Sequence, residues 1–158
     1  MDLFEEWLRK KDESEQVQRA LTAQSYKNVD HSLVDKDTAF ELATYGDALI
    51  KFCYAEIFLD KCAQLSKNIE DYVTDERWVS VIAKHYSLLD FIRYDKNDKS
   101  IKKDYAYIKP KKTRSGKNKK ESPYKFIATA VEAMIGAIYL ETKDLNAITK
   151  LLMSWTRL

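Results

Sequence analysis

Between Ile127 and Leu140 the sequence runs Ile127-Ala128-Thr129-Ala130-Val131-Glu132-Ala133-Met134-Ile135-Gly136-Ala137-Ile138-Tyr139-Leu140. Fourteen residues almost all small or apolar are too many for an ordinary strand and suit a buried helix. A carboxylate in such surroundings is costly unless it is paired or holds a metal, so Glu132 stands out. One other segment has the same character: Leu42-Ala43-Thr44-Tyr45-Gly46-Asp47-Ala48-Leu49-Ile50. Glycine inside a helix costs about 1 kcal/mol relative to alanine, which is tolerable where a second helix must come close. Packing the Gly46 helix on the Gly136 helix would bring Asp47 and Glu132 together. With oxygen ligands only and no Cys or His cluster, that meeting would suit Mg²⁺ and phosphoryl chemistry. In the plainer alternative the two acids face solvent or pair with Lys51 and another base.

Working outward, helical periodicity dominates the 158 residues. Leu3, Phe4, Trp7 and Leu8 form an apolar stripe. Asp12 with Glu15 reads as a capping box for a helix carrying Val17, Ala20 and Leu21, and Thr38 with Glu41 as another for a long helix from about 39 to 65. Asn68 and Thr74 are expected to cap two shorter helices, the second bearing Trp78, Val81 and Ile82, and Ser87 a short one through Ile92. Ser122-Pro123 is a helix-start signal before the Glu132 segment, and Asp144 caps a last helix with Ile148, Leu151, Leu152 and Trp155. Only 3 Gly and 2 Pro leave little punctuation for hairpins. The expectation is an all-α bundle in a single domain over 1–158, with a basic insertion at about 96–122.

The net charge of +2 conceals a gradient. Residues 96–125 hold twelve Lys and Arg against three acids, a local +9, which leaves −7 for the rest. A cationic arm on an anionic body suits a polyphosphate partner, because neutralised phosphates release counterions; a solvated loop kept soluble by its charge is the bland alternative. Tyr105 and Tyr107 alternate within it and would either stack on nucleic-acid bases or pack locally.

Cys53 and Cys62, if on one helix, point to opposite faces and cannot bond, and two free cysteines fit a reducing, cytoplasmic compartment. No apolar run approaches the roughly 18 residues that span a bilayer, and no signal peptide opens the chain. His31 and His85 have no partners at ligand spacing. Trp7, Trp78 and Trp155 read as anchors of the core or of a dimer face.

These segments together resemble the ribonuclease III catalytic domain over about residues 3–156. Ala20 to Asn28 is similar to its ALTHSSYAN-type helix, Asp37 to Ile50 to its ERLEFLGDAVL signature with Gly46-Asp47-Ala48 at the GDA, and Tyr72 to Ile92 to the helices that follow. Ser115-Gly116-Lys117-Asn118-Lys119 resembles the SGGRNK loop, and Ile127 to Leu140 the ILADAFEALIGAIYL helix. The resemblance implies a Mg²⁺-dependent (or Mn²⁺-dependent) endoribonuclease acting on double-stranded or structured RNA, working as a homodimer. Asp47 and Glu132 would be metal ligands and catalytic, with Thr129 on the same helical face as Glu132 bonding a metal-bound water or else its own backbone. Lys111, Lys112, Arg114, Ser115, Lys117, Asn118, Lys119 and Lys120 would bind RNA.

The chain departs from the family at half of its usual acids. Phe40 and Ala43 stand where the signature helix carries glutamates, and Thr129 stands where the last helix carries an aspartate. Glu41 lies about 240° round a helix from Asp47 and does not replace them. The compact mini-ribonuclease III class, which this chain resembles in the Ala-x-x-Gly-Asp-Ala and Thr-Ala-x-Glu-Ala segments, has the same reduced set, is understood to remain active, and lacks a separate double-stranded-RNA-binding domain, as this chain does. The alternative is a non-catalytic RNA-binding or assembly protein on the same fold.

Overall fold

The computed structural model describes residues 1–111, 114–116 and 121–158, and among them helices build the whole architecture. In order they are α1 (Leu3–Arg9), α2 (Glu15–Ala20), α3 (Phe40–Phe58), α4 (Leu65–Tyr72), α5 (Asp75–Arg77), α6 (Lys125–Thr142) and α7 (Leu145–Trp155). Helix α5 runs on without a break through π-type turns at Trp78–Ala83. No strand forms among the described residues; a lone bridge joins Thr22 to Arg93, where Arg93 also donates to the Thr22 hydroxyl.

Helix α6 is the hub. Ten of its residues are buried, from Ile127 to Ile138, and α3, α2, α1, α5 and α7 all pack on it. The apolar run that marked this segment is therefore a helix enclosed on nearly every side. Trp78 and Trp155 are fully buried edge to face, with ring centroids 5.9 Å apart. Phe4 of α1 meets Trp155 at 5.3 Å, which ties the first helix to the last. Trp7 is only partly buried.

Several expected caps differ. Ser14, not Asp12, starts α2: its Oγ accepts the Val17 N–H and donates to Glu141 of α6 at 2.8 Å. Residues Lys11–Glu13 instead form a 3₁₀ turn. Thr38 does not cap α3; it is buried and its hydroxyl donates to the Asp35 carbonyl. Helix α3 ends at Phe58, before Asp60 at φ +61°, so it is about 28 Å long rather than 40 Å, and Cys62 lies beyond it. Both cysteines are free. Asn68 falls inside α4 rather than at its start. Ser87, in the left-handed region, caps nothing with its side chain. Helix α6 starts at Lys125, two residues after the proline, with the Ser122 Oγ accepting the Tyr124 N–H. The Thr74 and Asp144 caps form as expected, accepting from Arg77 N–H and Ala147 N–H.

Candidate active site

Helices α3 and α6 touch backbone to backbone. A Cβ on Gly46 would stand 1.8 Å from the Glu132 carbonyl oxygen, and one on Gly136 2.8 Å from that of Leu42. No other residue type permits this approach, and it sets Asp47 of α3 beside Glu132 of α6. The close pairing expected from the two glycines is what forms.

Two further carboxylates, those of Asp47 and Asp75, are near enough for their charge to act on Glu132. Burial first, and then the charges of Asp47 and Asp75, push Glu132 up from its ordinary 4.5 to about 7. The Lys125 ammonium and the Trp78 indole N–H pull the other way. Asp47 is paired with Lys51 one turn on, Oδ2 to Nζ 2.7 Å. Asp75 is paired with Lys125, Oδ2 to Nζ 2.9 Å. Glu132 has no ion-pair partner among the described residues. The plain alternative for Asp47, a bond to Lys51, is thus realised together with its approach to Glu132.

Thr129 lies one turn before Glu132 and donates its hydroxyl to the Lys125 carbonyl at 3.1 Å. Its proton is therefore spent on its own helix, leaving only lone pairs for a ligand. Ala43 is buried and its side chain offers packing and no ligand.

The donors suit a hard divalent cation of a particular kind. All are carboxylate oxygens, and their mutual repulsion is what a cation would relieve. Among the described residues no three Asp, Glu, His or Cys side chains converge at metal-holding distance. Carboxylate oxygens are the ligand type that a hard divalent cation takes, one or two at a time in the case of Mg²⁺.

Asp75, Lys125 and Trp78 were not among the site residues expected from sequence. Asp75 reads there only as a first-turn acid after the Thr74 cap, and Trp78 only as core. Lys125 counted there only as one cation of the basic segment, although seven residues before Glu132 is the same face of a 3.6-residue helix.

The basic segment divides in two. Tyr105 is buried, stacks on Tyr124 at 4.7 Å, and donates to the Val79 carbonyl. Lys84 donates to the Tyr105 carbonyl at 2.8 Å, and Tyr124 OH donates to that of Ser100. Local packing has thus won over stacking on RNA at Tyr105, and Tyr107 packs against the core too. Lys96, Lys99, Lys102, Lys103, Lys109, Lys111, Arg114 and Ser115 are exposed. The expected RNA contacts Lys112, Lys117, Asn118, Lys119 and Lys120 lie outside the described residues.

A family model described as Ribonuclease III domain matches residues 41–143. Proteins named Ribonuclease 3 from Shewanella sp. (strain W3-18-1) and Shewanella putrefaciens (strain CN-32 / ATCC BAA-453) are 48% identical to this chain over 52 residues. A third, from Shewanella frigidimarina (strain NCIMB 400), is 46% identical over 52. Each alignment covers 33% of this chain and 21% of the relative, so the match spans about a fifth of those proteins. No solved structure matches the chain.

Proposed function

The chain belongs to the ribonuclease III domain family, and from that membership we propose that it is a Mg²⁺-dependent endoribonuclease that hydrolyses phosphodiester bonds in double-stranded or structured RNA. The observation that carries this is the placement of Asp47 against Glu132 across the Gly46–Gly136 seam. A carboxylate raised to about 7 by burial and then by neighbouring acids is a poor structural element and a good cation ligand. Mn²⁺ would substitute for Mg²⁺ on the same donors.

Mg²⁺, if held there, would supply positive charge for the phosphodiester and its leaving oxygen and would help to activate a water. Asp47 and Glu132 would hold it. Thr129, with lone pairs free, would accept a hydrogen bond from that water. The exposed cations of the basic segment would grip the RNA backbone and its 2′-hydroxyls rather than read bases. The protein would act in the cytoplasm, in keeping with its two free thiols. No described helix is long and apolar enough to cross a membrane.

The outer face of α3 supports a homodimer. Phe40, Tyr45 and Phe52 are 56%, 39% and 51% exposed on the side of α3 away from its buried residues, and Leu59, just past its end, is 55% exposed. An apolar stripe of this kind marks an interface. A second copy of the chain would cover it and place two sites along one duplex.

The test is cleavage of end-labelled duplex RNA by the full chain in Mg²⁺, with EDTA, Asp47→Asn and Glu132→Gln as controls. Each control is expected to slow cleavage at least about a hundredfold. Binding of the duplex without Mg²⁺-dependent cleavage would support instead the non-catalytic RNA-binding or assembly reading.

A further inference from the structure

A cleft of about 240 Å³ lies where the end of α2, the start of α3 and the first turns of α6 meet. Four buried alanines and the buried Ile92 form its floor. Two aromatic rings line it. Phe126 is partly buried and packs against Tyr94, ring centroids 5.2 Å apart. Phe40 is the freer ring, 56% exposed. The remaining lining is polar: Gln24, Glu121, Lys125 and Thr129. Thr129 precedes Glu132 by one turn on the same face of α6. The cleft therefore begins one turn from the acid pair, and neither Asp47 nor Glu132 lines it.

The chemistry of the walls narrows what can enter. Phe40 and Thr129 are two of the positions at which this chain lacks the acids of its family, and both line the cleft. An acidic corner has become an aromatic one. Glu121 and Lys125 oppose each other in charge, so the cleft favours a neutral ligand. Its volume, about 240 Å³, falls below the roughly 300–1,000 Å³ of sites for drug-sized molecules, and leaves room for one flat ring system. A nucleobase is flat, neutral and edged with donors and acceptors, which an amide such as that of Gln24 can meet from either side. One turn of α6 is about 5 Å, so a nucleotide next to a phosphodiester held over Asp47 and Glu132 reaches the cleft. A second copy of the chain fits less well: of the exposed apolar residues of α3, only Phe40 lines it.

We propose that this cleft receives an unpaired nucleobase next to the scissile phosphodiester, stacked on Phe40, and that structured RNA with a bulged or looped nucleotide at the cleavage point is preferred over unbroken duplex. Stacking on an aromatic side chain tolerates any sequence, because every base has a π-face. A paired base must first leave the helix, and that cost is least for one already unpaired. The cleft thus selects RNA by its structure and not by its sequence. This rests on the nuclease reading and names the substrate class within it.

The experiment offers the full chain two RNA duplexes alike except at one place: a single bulged adenosine, or the same bulge lacking its base. The preference between them is read twice, as affinity in EDTA by fluorescence anisotropy and as single-turnover cleavage at subsaturating protein in Mg²⁺. The parent is expected to favour the adenosine bulge about tenfold, the contribution of one stacked base. Phe40→Ala and Phe40→Leu should bring the ratio close to one, and Phe40→Trp should keep it. All three should melt within a few degrees of the parent, since the Phe40 ring is more than half exposed. Phe52→Asp, which leaves the cleft lining untouched, should keep the ratio whatever its oligomeric state.

A ratio near one for the parent in both readouts overturns the proposal, and so does a Phe40→Ala or Phe40→Leu variant that keeps the parent's ratio. A ratio lost in Phe52→Asp together with the dimer assigns the cleft to a second copy and overturns it too. If the parent cuts neither duplex while its affinity ratio stands, the nuclease reading fails and the cleft is supported as a base slot in an RNA-binding protein; the other results overturn the base slot alone.

Discussion

Gly46 and Glu132 are separated by less than the width of a methyl group: a side chain on Gly46 would begin 1.8 Å from the Glu132 carbonyl oxygen. The obstacle is backbone, which cannot step aside as a side-chain tip can. The same contact therefore sets both the packing of the two central helices and the distance between two carboxylates. Gly46→Ala is expected to cost about 3 kcal/mol or more, a fall in Tm on the order of 10 °C for a domain of this size. Gly136→Ala, whose new carbon would meet Leu42 O at 2.8 Å, should cost less. Thermal melts followed by circular dichroism give both values, and equal stability of Gly46→Ala and the unmodified chain would contradict the close seam.

The Glu132 carboxyl makes stability depend on pH in a definite direction. Its pKa is raised in the fold from 4.5 to about 7, so the folded chain holds a proton that the unfolded chain has released. Its contribution is fully present below about pH 4.5 and is lost as pH rises through about 7. The full shift amounts to about 3 kcal/mol at most. In EDTA, Glu132→Gln should therefore melt at the same temperature as the parent near pH 4.5 and above it by pH 7.5. Adding Mn²⁺ should close that gap by stabilising the parent alone. A gap that does not change with pH would contradict the shared acidic space.

Phe52 is 51% exposed on the outer face of α3, with Phe40 at the start of that helix and Leu59 just past its end also exposed. Phe52→Asp changes a half-exposed side chain outside the buried core and places a charge on the proposed dimer face. Sedimentation of the variant is expected to show monomer where the parent is a dimer, with unchanged far-ultraviolet dichroism. A parent that sediments as a monomer at tens of micromolar would count against the homodimer.

The basic segment should act through charge and not through base recognition. Residues 109–121 carry seven cations and one acid, beyond the part anchored by Tyr105 and Tyr124. Deleting them is expected to flatten the slope of log K against log salt for duplex RNA by several units, since each neutralised phosphate contributes about 0.9. Tyr105→Ala should instead lower Tm and leave the slope unchanged, because that ring is buried against Tyr124.

The sequence by itself determined the helical class, the two central helices and the family. A fourteen-residue apolar run with one acid has few other uses, and Gly46 and Gly136 announce a close crossing because only glycine allows one. Asp47 and Glu132 were legible for the same reason: an acid amid small apolar residues marks itself. Helix ends were less legible. Ser14 displaced Asp12 as a cap because its hydroxyl also reaches Glu141, 127 residues away, and no local pattern reports such a partner.

Only the tertiary structure decided what surrounds the two acids. Asp75 and Trp78 reach Glu132 from a separate helix, and their spacing along the chain, more than fifty residues, bears no trace of it. Lys125 looked like one more charge of the basic segment until its salt bridge to Asp75 set it beside the site. Periodicity records which face of a helix is buried. Which charges meet across that face depends on how separate helices dock, and that is fixed by packing between residues distant in sequence.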